Sequence, residues 1–262
     1  MVHIILSHIN RGMRVDMKKK IFNSKLLVII VFITFVVSAI YVTVKIVLSP
    51  VAPPDNNVSV RVKGDYVIML LQCILGAVAL FLPSMLKKRW HLYIPSKMVI
   101  VYALFLYAAI YLGEVHSFYY RVKNFDTILH TCSGAMLGAL GFSFITILNK
   151  ADTVPMNLSP AFVALFTFCF AVTLGTIWEI YEFSVDFIFN TNMQKYALES
   201  GKALIGKAAL LDTMKDLIVD TIGSLTMSVI GYISLKNKKG WIETFQLRFI
   251  KYNKEKTEDR YF

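Results

Sequence analysis

The 262-residue chain is 56% hydrophobic, carries a formal net charge of +11 and has a mean hydropathy of +0.58. Several apolar runs are longer than the strands or helices of a soluble core, which excludes a soluble globular domain. The basic residues gather beside those runs and no nucleic-acid-reading module accompanies them, so the charge reports membrane orientation and not a nucleic-acid partner.

Residues 1–25 form a basic segment with Arg11, Arg14, Lys18, Lys19, Lys20 and Lys25. The run from Leu26 to Leu48 exceeds the ~7–15 apolar residues of a signal peptide, and Val36-Val37-Ser38-Ala39 is a poor cleavage site, so it reads as a retained first span. Met17, followed by three lysines, also reads as an alternative start. A spanning helix needs roughly 20 apolar residues. Further stretches of that kind lie at 66–86, 98–118, 126–148, 160–186 and 212–235. The expected fold is therefore an all-α integral membrane protein: a bundle of about six spans over 26–235, embedded in the lipid bilayer and followed by a basic tail at 236–262.

Only Pro83 interrupts a span. Cys73, Cys132 and Cys169 all fall inside spans and read as packing residues. From Trp241 onward the tail interleaves aromatic and basic residues, as a short helix lying on an anionic leaflet would, or a solvated tail. With six spans, the N-terminal segment, Lys87-Lys88-Arg89 with Lys97, and Lys236-Lys238-Lys239 share one side. The bias of Lys and Arg toward cytoplasmic loops puts both termini in the cytoplasm.

Of the 17 acidic residues, Glu114, Asp126, Glu179, Glu182, Asp186, Asp212, Asp216 and Asp220 lie in or at the ends of the last four spans, all toward the outer side in this orientation. Glu179, Glu182 and Asp186 are spaced i, i+3, i+7, and Asp212, Asp216 and Asp220 are spaced i, i+4, i+8, so each trio shares one helical face. Asp126 and His130 form an i, i+4 pair. One Asp at the centre of a spanning helix costs about 2.5–3.5 kcal/mol, so several together need compensation. A bound cation, a water-filled cavity, shared protons, or pairing with Arg121, Lys123 and Lys215 would supply it. Gly134, Gly138 and Gly141, with Gly175 and Gly223 on the later spans, would let helix backbones approach closely. Simpler readings stand beside these: Asp126 and Asp212 as helix N-caps, and His130 as a buried hydrogen-bonding histidine.

The set Asp126-x-x-x-His130, Trp178-Glu179-x-x-Glu182 with Asp186, then Asp212-x-x-x-Asp216-x-x-x-Asp220 resembles the YjdF-like bacterial inner-membrane proteins over roughly residues 66 to 235. The resemblance implies a multi-pass protein of the bacterial cytoplasmic membrane and supports the choice of residues, but supplies no reaction. Neither HExxH nor GxSG is present, and Glu-x-x-Glu replaces the Glu-x-x-His of soluble di-iron bundles.

Three functions fit. The first is a divalent-cation site (Mg, Mn or Zn) in a membrane enzyme acting on a lipid or envelope substrate, with Glu179, Glu182, Asp186, Asp212, Asp216 and Asp220 as metal residues. His130 is then a ligand or general base oriented by Asp126, and Thr191 to Leu211, with Lys195, Lys202, Lys207, Gly201 and Gly206, is a lid. The second is a cation- or proton-coupled transporter, disfavoured by the apolar inner halves of spans four to six. The third is a non-catalytic scaffold or sensor. Substrate, reaction and oligomeric state are not encoded in any motif.

Overall fold

The computed structural model describes residues 2–51, with side chains from Ser24, together with 61–149, 157–198, 202–241 and 247–249, of which 248 and 249 by backbone alone. The side chains of residues 1–23, residues 199–201 of the expected lid and most of the tail lie outside the described residues. The helices are α1 (Val2–Leu48), α2 (Lys63–Ala79), α3 (Leu82–Trp90), α4 (Ser96–Leu106), α5 (Phe118–Arg121), α6 (Phe125–Asn149), α7 (Pro160–Phe189) and α8 (Lys207–Lys236). A π-helical segment, Tyr107–Val115, continues α4. Six stretches are long and apolar enough to cross a membrane, the number read from the apolar runs: Ser24–Leu48, Lys63–Trp90, Ser96–Val115, Phe125–Asn149, Pro160–Phe189 and Lys207–Lys236.

Local chemistry explains the irregularities. Pro83 has no N–H to give the Ala79 carbonyl, so the second span breaks at Leu80–Phe81 and restarts as α3. The Tyr102 hydroxyl donates to Ala79 O at 3.0 Å instead. Within a bilayer such a substitute matters, because no water is available to a freed carbonyl. The π segment ends the third span, where Gln72 Nε2 donates to Glu114 Oε1 at 3.1 Å and Arg61 donates to Glu114 O and Ser117 Oγ at 3.2 and 2.7 Å. Ser159 caps α7 by accepting from the Phe162 amide, and Pro160 takes the first helical position, which needs no donor.

Helices α6, α7 and α8 pack on one another, α1 packs on α2 and α4, and the π segment touches both groups. The interior of the first group reverses the soluble pattern. Along α7 the buried face runs Val163, Thr167, Ala171, Gly175, Glu179, Glu182, Asp186, while Ile180, Phe183 and Phe187 are exposed. In α8 it runs Asp216, Asp220, Gly223, Ser224, Ser228, Gly231, Ser234. Apolar side chains thus face lipid, and small or polar ones meet inside. The halves of these helices remote from the acidic residues, expected to be apolar, are therefore not uniformly so at their buried face, since Ser143, Thr146, Thr167, Ser224, Ser228 and Ser234 line it.

Two short strands join the other end: β1 (Leu92–Tyr93) pairs antiparallel with β2 (Arg248–Phe249), Leu92 opposite Phe249 and Tyr93 opposite Arg248. Residues 248–249 of the tail are thus extended; the choice between a surface helix and a solvated tail falls mostly outside the described residues. Among the described residues all three cysteines are free, but only Cys73 is buried; Cys132 and Cys169 are exposed, so the packing role expected of all three holds for Cys73 alone.

Candidate functional site

Close helix contact assembles the site. A Cβ on Gly134 would lie 2.3 Å from the Asp220 carbonyl oxygen, and one on Gly223 would lie 2.3 Å from the Thr131 carbonyl oxygen, so α6 and α8 touch backbone to backbone. On α7, Gly175 leaves room for the Asp220 carboxylate, whose Oδ2 would be 3.1 Å from an added Cβ. This crossing carries His130 of α6 into the buried acidic faces of α7 and α8.

Around the imidazole, Nδ1 donates to Asp220 Oδ2 at 3.2 Å, and Glu179 Oε1 lies 3.8 Å from the same nitrogen. A carboxylate accepts, so Nδ1 carries the proton, and a neutral ring would leave the Nε2 lone pair for a ligand. Asp220 is itself held, because the Ser133 hydroxyl donates to its Oδ1 at 2.6 Å. On the other side of the ring, Nε2 is 3.7 Å from Asp126 Oδ1 and 3.8 Å from Asp216 Oδ2. One ligand atom from each of Asp126, His130 and Asp216 lies within 4.8 Å of the other two.

Burial is deep: Asp216 is 2% exposed, Asp220 3%, Glu179 4% and His130 8%. Glu182, also buried, accepts from Trp178 Nε1 at 2.9 Å. Both carboxylate oxygens of Glu179 and Oδ1 of Asp216 accept no hydrogen bond. Buried acceptors are satisfied in the large majority of proteins, so three orphan oxygens in one cluster call for a partner.

The described counter-charge comes from the loop after α7. Lys195 Nζ makes a short contact to Asp126 Oδ2 and lies 3.3 Å from Asp212 Oδ2. Burial disfavours the ammonium, but the charges of Asp126 and Asp212 more than offset this and hold its pKa well above the ordinary lysine value. Beneath it, 5.7 Å from the ring centroid, lies Tyr119. Burial, then the charges of Glu114 and Asp126, raise this phenol well above its usual pKa, so it stays neutral. Six carboxylates (Asp126, Glu179, Glu182, Asp212, Asp216 and Asp220) thus gather around a single lysine and a single histidine. Among the described residues Lys195, and not Arg121, Lys123 or Lys215, supplies the ion pairs.

The remaining expected site residues take other positions. Asp186 turns to the loop: its Oδ1 accepts from the Thr191 hydroxyl and from Met193 N at 2.8 Å, and its Oδ2 accepts from Gln194 N at 2.9 Å. Helix α8 starts at Lys207, which puts Asp212 more than a turn inside the helix and not at its cap. Asp126 stands in the first turn of α6, where its charge suits the free amides. Lys195 as counter-ion and Ser133 as support of Asp220 were not anticipated. The Lys195–Asp126 and Ser133–Asp220 contacts each span more than sixty residues of sequence, and helical periodicity carries no signal for such a pairing.

A family model described as a predicted membrane protein (DUF2238) matches residues 24–237. An uncharacterised protein of Thermotoga maritima is 29% identical over 164 residues, covering 62% of this chain and 75% of that protein. No solved structure matches the chain.

Proposed function

The chain belongs to the DUF2238 family of multi-pass membrane proteins, and on that premise we propose that the buried cluster is a divalent-cation site of a membrane enzyme of the bacterial cytoplasmic membrane, opening outward to a lipid or envelope substrate. The observation that carries this is the set of orphan oxygens on Glu179 and Asp216 beside Nε2 of His130, a concentration of carboxylates that a cation would satisfy.

The donor set favours Mn, Mg or Zn. Ligands about 2.0–2.1 Å from a tetrahedral ion stand about 3.4 Å apart. The separations of 3.7 and 3.8 Å from His130 Nε2 to Asp126 and Asp216 are a few tenths of an ångström longer than that, and all three ligand atoms lie within 4.8 Å of one another. In this reading Asp126, Asp216 and Nε2 of His130 are ligands, and Glu179 and Glu182 are further carboxylates within the same pocket of charge. Asp220, by taking the Nδ1 proton, orients the imidazole. The roles expected of Asp126 and Asp220 are thereby exchanged. Such an ion would polarise a substrate oxygen or acidify a bound water.

Elemental analysis of the purified full chain tests the reading. Near-stoichiometric Mn, Mg or Zn is expected, reduced to background by Asp216→Asn. No bound metal, with no thermal shift on adding Mn²⁺, Mg²⁺ or Zn²⁺, would overturn it.

A second reading, a cation- or proton-coupled transporter, draws on the buried hydroxyls that continue past the cluster, including the orphan Thr167 Oγ1. Cation uptake into proteoliposomes that Asp216→Asn abolishes would favour it over the enzyme.

A further inference from the structure

Lys195 is built into the site with unusual care. Its backbone adopts the left-handed conformation, with φ of 49°, which is unfavourable for a residue with a Cβ. The loop that imposes this is tied down on both sides. Asp186 accepts from Thr191, Met193 and Gln194, and Asn192 exchanges two hydrogen bonds with the Ala197 backbone at 2.7 and 3.0 Å. Gln194 Nε2 donates to Thr213 Oγ1 of α8 at 3.0 Å. The ammonium is thereby aimed at two carboxylates: Asp126 through Oδ2, and Asp212 through Oδ2 and Oδ1 at 3.3 and 3.4 Å.

Asp126 is the shared member. One of its oxygens holds Lys195 while the other faces His130 Nε2 at 3.7 Å, on the side of the proposed ion. A carboxylate with one oxygen toward each of two cation positions is the bridging ligand of a dinuclear site, where the two ions stand about 3.5–4 Å apart. Here one position holds a covalently tethered ammonium. We propose that Lys195 is a permanent second cation, occupying the place that a second divalent ion would take in an Asp126-bridged pair, so that the site accepts one ion and not two. The inference rests on the reading of Asp126, His130 and Asp216 as the first ion position. That position also has its own mark, the buried Asp216 Oδ1 without a hydrogen-bond partner.

The consequence is a stoichiometry. Lysine is a fixed charge that ion exchange cannot remove, whereas its deletion leaves Asp126 Oδ2 and Asp212 free to take a second ion. The test uses the full chain in detergent micelles with Mn²⁺ as probe, measured by equilibrium dialysis and electron paramagnetic resonance. One Mn²⁺ per chain with an isolated six-line spectrum is expected for the native protein and for Lys195→Arg. Lys195→Ala should bind two, with the spin-coupled spectrum of a bridged pair, and Lys195→Ala with Asp212→Asn should return to one. A single uncoupled ion in Lys195→Ala overturns the role of Lys195 while leaving the first site standing. No ion in the native chain overturns both. If Lys195→Ala is recovered only when Mn²⁺ is present during extraction, the ion is replacing the ammonium and the proposal is supported. Failure of both Lys195→Ala and Lys195→Met to be recovered with or without Mn²⁺ counts against it.

Discussion

At the scale of single residues, position along a helix and chemical role separate. Asp216 and Asp220 are one turn apart on the same face of α8, yet Asp216 faces Nε2 of His130 while Asp220 takes the proton of Nδ1. In the proposed site the first is a ligand and the second an orienting partner, and the two should respond differently to the same change. Asp216→Asn should abolish Mn²⁺ binding. Asp220→Asn should weaken it by about 10–100-fold, the usual cost of losing a partner that orients a metal-bound histidine. Titration of each variant with Mn²⁺ separates them, and equal losses would contradict the assignment. The acidic stripes were legible from i, i+3, i+4 spacing alone. Which of the two ring nitrogens each acid meets was not, because that depends on how α6 and α8 are rotated against one another.

At the scale of elements, the site depends on a helix crossing that only small residues permit. The packing of Gly134 on Asp220 and of Gly223 on Thr131 leaves no space for a side chain, since each added Cβ would meet backbone, which cannot swing aside as a flexible side chain can. Gly134→Leu should force α6 and α8 apart. Overpacking of this kind typically costs 1–3 kcal/mol, so thermal unfolding in detergent should begin several degrees lower, with metal binding lost. Gly64→Ala, at a position with nothing within 4 Å of the added Cβ, serves as the control and should unfold as the native chain does. The glycine pattern on the fourth span was visible in the sequence. The break at Leu80–Phe81 followed from Pro83, but the Tyr102 hydroxyl that relieves the Ala79 carbonyl lies on another helix and carries no local signal.

At the scale of the whole molecule, pairing of β1 with β2 constrains the topology. β1 lies between the second and third spans and β2 follows the sixth. Strands can pair only on one side of a membrane, so an even number of crossings separates them, as four intervening spans require. The Arg61 contacts to Glu114 and Ser117, and those of Lys195 to Asp126 and Asp212, join the loops at the opposite end. Tyr93→Cys with Arg248→Cys, in a background lacking Cys73, Cys132 and Cys169, should form an intramolecular disulfide, seen as a mobility shift reversed by reductant. Absence of that bridge under oxidising conditions would contradict the pairing. For the absolute sense we propose, from the bias of loop lysines and arginines, that the strand side is cytoplasmic and the cluster outward.

The sequence by itself determined that this protein lives in a membrane, that six helices cross it, and that acids line particular helix faces. These are consequences of hydrophobic length and of a 3.6-residue period, both local quantities. Tertiary structure alone decided that Lys195 reaches Asp126 across 69 residues, that Ser133 and His130 close on Asp220, and that Asp186 serves the loop. Those outcomes depend on helix rotation and loop path. Glycines permit the close crossing, and the packing of whole helices sets the angle at which it is made.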